Sequence, residues 1–77
     1  MKFNHDRELD LSGLMCPMPL LKAKLALNNM ESKQILKVIA TDPSSEKDFH
    51  LFVDQSDHQI LDFQKGEVAY IYWIRKG

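Results

Sequence analysis

Residues 35–54, Ile35-Leu36-Lys37-Val38-Ile39-Ala40 followed by Thr41-Asp42-Pro43-Ser44-Ser45-Glu46-Lys47-Asp48-Phe49-His50-Leu51-Phe52-Val53-Asp54, decide the fold. The first six are apolar and partly β-branched, the mark of a buried strand. The text then changes period. Asp42 is expected as N-cap of a helix, with Pro43 at its first position and Glu46 near the positive end of its dipole. Phe49, Phe52 and Val53 give that helix a core face. A strand running into a helix is half of an α/β unit, and the flanking sequence supplies the rest.

Upstream, Leu9 and Leu11 alternate with Glu8, Asp10 and Ser12, as in a short, half-buried strand. Gly13 ends it. From Leu20 the period becomes helical: Leu20, Ala23, Leu27 and Met30 share a face, Leu21 and Leu25 widen it, and Lys22, Lys24, Asn28 and Asn29 take the wet side. On this spacing Leu21, Leu25 and Leu27 are all expected to bury against a sheet. Downstream, Ile60–Phe63 and Val68–Ile74 read as strands joined across Lys65-Gly66, a hairpin turn.

The order is β-α-β-α-β-β. Right-handed crossovers put both helices on one face of a four-stranded mixed sheet if the strand order does not reverse, giving the α/β class and a two-layer α/β sandwich. Residues 1–77 are read as a single domain, because a chain this short buries only about 60–65% of its unfolded surface and has no room for a second core. The last strand is apolar or aromatic on both faces, with Val68, Tyr70, Tyr72 and Ile74 against Ala69, Ile71 and Trp73. That pattern belongs to a central strand. Its outer aromatics either shield their own sheet, the favoured reading, or form a docking or dimer surface.

Composition narrows function. Apolar residues at 44% and charged residues at 27% fit a globular protein rather than a disordered chain. A formal charge of −1 gives no reason to expect nucleic acid or an acidic membrane as partner. The polar start, MKFNHDRELD, lacks the apolar stretch of a signal peptide, and no run approaches a membrane span. With a single cysteine, the expected compartment is the cytoplasm, where a free thiol stays reduced.

That cysteine, Cys16, is the candidate catalytic residue. It stands in Cys16-Pro17-Met18-Pro19, immediately before the first helix. A thiolate is the reactive form of cysteine, and a helix N-terminus lowers the thiol pKa. With Cys16 as N-cap, the prolines remove two of the first amide donors and leave mainly that of Met18 to engage the sulfur. A modestly lowered pKa on a stiff segment is the expectation. The competing reading is an inert core cysteine, but a position before two closely spaced prolines at a helix entrance suits the core poorly.

Other chemistry is thinly supported. His5, His50 and His58 show no metal-ligand spacing, so no metal and no cofactor are expected. A histidine beside Cys16 would have to be supplied by the fold, His5 or His58 being the candidates. Arg7, Lys22, Lys24, Arg75 and Lys76 are weighed as a basic docking rim near the cysteine against an ordinary solvated surface, which is preferred.

The run Leu11-Ser12-Gly13-Leu14-Met15-Cys16-Pro17-Met18-Pro19, with the Leu/Lys/Ala helix behind it, resembles the TusA/SirA family of sulfur-carrier proteins and its Cys-Pro-x-Pro signature. The likeness continues through Thr41-Asp42-Pro43, Asp48 and the closing Ile74-Arg75-Lys76-Gly77. It implies the same β-α-β-α-β-β sandwich. It also implies that Cys16 accepts sulfane sulfur as a persulfide, as a sulfurtransferase-type carrier rather than an enzyme acting alone. The implied partners are a cysteine desulfurase or rhodanese-like donor and a downstream acceptor protein; the chain itself is expected to be a monomer. Members of the family serve tRNA thiolation, sulfur oxidation or thiosulfate use. Here the variable signature position is Met18, where some members have an acidic residue, and residues 49–52 lack the second cysteine that some carry. The alternative function is a non-catalytic regulatory or redox-sensing interaction module.

Overall fold

A computed structural model describes residues 5–77; residues 1–4 of the polar N-terminal stretch lie outside the described residues. The elements follow the expected order: β1 (Arg7–Leu11), α1 (Met18–Asn28), β2 (Ile35–Ala40), α2 (Ser45–Asp54), β3 (Gln59–Lys65) and β4 (Tyr70–Arg75). Strand order in the sheet is β1-β2-β4-β3. β1 and β2 are parallel across the α1 crossover, while β4 runs antiparallel to both β2 and β3. The sheet is therefore mixed, and β4 is central as its two apolar faces require.

Alternation assigns the faces. Leu36, Val38 and Ala40 of β2, with Tyr72 and Ile74 of β4, are buried under the helices. α2 contributes Phe49 and Val53, and the Phe49 ring stacks on Tyr72 at 4.7 Å between centroids. Phe63, its cross-strand partner, also stacks on Tyr72 at 5.0 Å. On the helix-free face Trp73 is only 4% exposed, with the Lys37 ammonium 5.8 Å from its ring centroid. Trp73 thus lies against its own sheet on that face.

Three expectations need correction. α1 buries Pro19, Ala23, Ala26 and Leu27, whereas Leu21 is 46% and Leu25 62% exposed. Small residues at 23 and 26 set the contact face and turn the bulky leucines outward. Asp42 is not the N-cap of α2: Ser44 holds that position and the helix starts at Ser45. Instead the buried Asp42 carboxylate accepts from Ser44 N at 3.1 Å through one oxygen and from Cys16 N through the other. Finally β4 begins at Tyr70, leaving Val68 outside the strand and exposed.

Candidate functional site

The segment 12–17 carries the chain from the end of β1 to the mouth of α1. Gly13 turns it with φ +84°, and its N–H donates to Thr41 Oγ1 at 2.9 Å. Cys16 follows, exposed to solvent, with a cis bond to Pro17. Its N–H donates to Asp42 Oδ2 at 2.7 Å, so the loop after β2 anchors the loop after β1. The two loops are neighbours because Leu11 pairs with Ala40 at the ends of the parallel strands.

The surroundings of the sulfur differ from the expectation. Pro17, not Cys16, occupies the cap position of α1. The Met18 N–H is taken by the Met15 carbonyl at 2.9 Å and is not directed to the sulfur. What the thiol meets is a carboxylate: Sγ donates to Asp48 Oδ2 at 3.3 Å. Its pKa is raised above the ordinary cysteine value, chiefly by this hydrogen bond, then by lost hydration and by the negative charges of Asp48 and Asp42. A fixed anion touching the sulfur outweighs the diffuse end of a helix dipole. The predicted lowering is therefore reversed.

Asp48 is held in the first turn of α2, where negative charge is favoured. It also lines a small groove between the helices, about 160 Å³, with Leu20, Lys24, Leu51, Phe52 and Gln55. Beside this carboxylate, the segment around Cys16 and the outer side of α1 also expose apolar side chains. Met15 is 65% and Met18 41% exposed, and Met18, Leu21 and Leu25 form one stripe along α1 at i, i+3 and i+7.

The histidines are engaged elsewhere. His5 Nε2 lies 3.2 Å from Glu8, His50 Nδ1 contacts the Glu46 carbonyl at 2.7 Å, and His58 Nδ1 accepts from Gly77 N. Among the described residues no three His, Cys, Asp or Glu side chains gather as a metal site. The five cations do not form one rim either. Arg7 pairs with Leu36 and Arg75 with Ile35, at the opposite ends of the strands from the Leu11–Ala40 pair. At about 3.3 Å per residue this separates them from the Cys16 loop by roughly 13 Å. Lys22 and Lys24 alone lie on the helix that Cys16 introduces.

The architecture is that of a SirA-like protein from Desulfitobacterium hafniense, with a TM-score of 0.78 and 22% identity over 92% of this chain and 97% of that one, a likeness of fold. The chain belongs to the TusA family: the family model described as "Sulfurtransferase TusA" matches residues 7–76. The sulfur carrier protein TusA of Allochromatium vinosum is 46% identical over 71 residues, covering 92% of this chain and 93% of that protein. A Pseudomonas putida sulfur carrier protein TusA is 40% identical over 74 residues, covering 96% of this chain and 92% of its own. The chain is a sulfur carrier, and a regulatory module without that role is not favoured.

Proposed function

We propose that Cys16 is the carrying group, accepting sulfane sulfur as a persulfide from a donor protein and yielding it to an acceptor protein. The observation that carries this reading is the placement of the chain's one thiol: exposed, at the mouth of α1, on a loop tied to Asp42. A sulfur atom that must be reached by two different proteins has to stand at the surface on a defined support. The apolar rim of Met15, Met18, Leu21 and Leu25 suits a surface that protein partners cover in turn. The groove beside it is small against the roughly 300–1,000 Å³ of a small-molecule site, which favours protein-to-protein transfer.

The donor is read as a cysteine desulfurase or a rhodanese-like protein, the carrier as a cytoplasmic monomer, and thiolation of tRNA as one pathway it would serve. Incubation with a cysteine desulfurase and cysteine tests the role. Wild type should gain the mass of one sulfur atom and Cys16→Ser should not, because oxygen does not form the persulfide. Absence of any gain from desulfurase and rhodanese-type donors alike would leave the reading without support.

A further inference from the structure

One side-chain contact joins the thiol to the second helix: Cys16 Sγ donates to Asp48 Oδ2 at 3.3 Å, across 32 residues of chain. The Asp48 side chain is partly buried, and among the described residues no cation pairs with it. The charged groups acting on Cys16 are this carboxylate from α2 and that of Asp42 from the β2–α2 loop, both negative.

Sulfur transfer changes what Sγ can offer. In the reaction proposed above, Sγ attacks the terminal sulfur of a donor persulfide. An Sγ–S bond forms and the donor's S–S bond breaks, its electron pair leaving with the donor's cysteine sulfur. The hydrogen given up by Sγ ends on that sulfur, so the donor departs as a thiol. The loaded Sγ, bonded to Cβ and to the terminal sulfur, carries no hydrogen. The bond to Asp48 is lost by the act of loading.

We infer that Asp48 discriminates the two states of the carrier, holding the empty Cys16 as a hydrogen-bonded thiol and having no hold on the inner sulfur of the persulfide. This rests on the carrier reading of Cys16. In the empty state the carboxylate disfavours the thiolate, the form that oxidants and stray electrophiles attack, and so protects an exposed, solitary sulfur. In the loaded state a persulfide anion meets the same negative charge and is driven away from α2 toward solvent. Asp48 touches the reacting atom and is a second functional residue of the site.

Alkylation of Cys16 by iodoacetamide, followed against pH without any sulfur donor, reads the restraint on the thiol. Asp48→Asn should lower the midpoint of the profile and raise the rate at neutral pH several-fold, and Asp48→Glu should move both back toward wild type. An unchanged or higher midpoint in a folded Asp48→Asn protein would overturn the inference. A second measurement needs no substitution: the carboxyl ¹³C signal of Asp48 should shift when wild type is loaded, and a signal that stays in place would overturn it equally. The alkylation arm requires no donor, so its failure is separate from failure of the carrier to gain sulfur.

Discussion

The backbone N–H of Cys16 donates to the buried carboxylate of Asp42 at 2.7 Å, joining residues 26 apart in the chain. The second oxygen accepts from Ser44 N, and the Asp42 carbonyl accepts from Ser45 N. One side chain thus fixes both the loop that presents the thiol and the entry to α2, the helix that carries Asp48. Asp42→Ala removes the acceptor for two amides at once and should cost about 1–3 kcal/mol. Chemical denaturation would measure it, and Asp42→Asn, which keeps an acceptor oxygen, should lose less.

Gly13 lies at φ +84°, with open space where a Cβ would stand. Any penalty for Gly13→Ala therefore comes from the backbone and not from a clash. It should be about 1–2 kcal/mol, the cost of left-handed geometry for an L-residue, and Gly13→Asn should be milder. Equal stability of all three proteins in urea would contradict the turn geometry.

On α1, leucines of the same chemistry have opposite settings. Leu27 is fully buried, while Leu21 and Leu25 are exposed. Leu27→Ala should cost about 2–5 kcal/mol through lost burial and a residual cavity. Leu21→Ala and Leu25→Ala should stay within about 0.5 kcal/mol of wild type. Thermal melting separates these outcomes. If the two exposed leucines serve partner docking, their alanine variants will instead slow loading by the donor protein.

Tyr72 is buried against Phe49 and Phe63, and its hydroxyl lies 3.0 Å from Ser45 Oγ. Burial pushes its pKa from 10.0 up to about 12. Between these values the unfolded chain binds fewer protons than the folded one, so stability falls as pH rises. The contribution is complete below pH 10 and declines from there through pH 12. Tyr72→Phe should flatten that alkaline decline while losing the Ser45 hydrogen bond, which denaturation at several pH values would show.

The element order was legible because each element carries its own period: alternation in 9–11, apolar β-branched text in 35–40, helical spacing in 20–30. The burial of α1 was less so. Leu21 and Leu25 are as apolar as Leu27, but a helix in a two-layer fold has an outer face, and Ala23 and Ala26 decide which face approaches the sheet. Small residues are weak signals in a hydrophobic pattern although they permit the closest packing.

The position of Cys16 at a helix entrance was equally legible, and its electrostatics were not. Reading from the adjacent helix alone gave a thiol beside a positive dipole. The group that sets its acidity is Asp48, 32 residues away and brought over by the second crossover. Asp48 was visible in the sequence only as a point of likeness to a family, and Asp42 was read as a helix cap rather than as the acceptor for Cys16 N–H, since the reach of a loop across to a neighbouring helix leaves no local period to read.

The most direct measurement is fragment mass spectrometry of the sulfur-loaded protein, before and after an acceptor or a reductant is added. One added sulfur atom is expected on the peptide containing Cys16, lost from it when a thiol acceptor takes the sulfur. Sulfur found on any other residue, or loading that survives in Cys16→Ser, would contradict it.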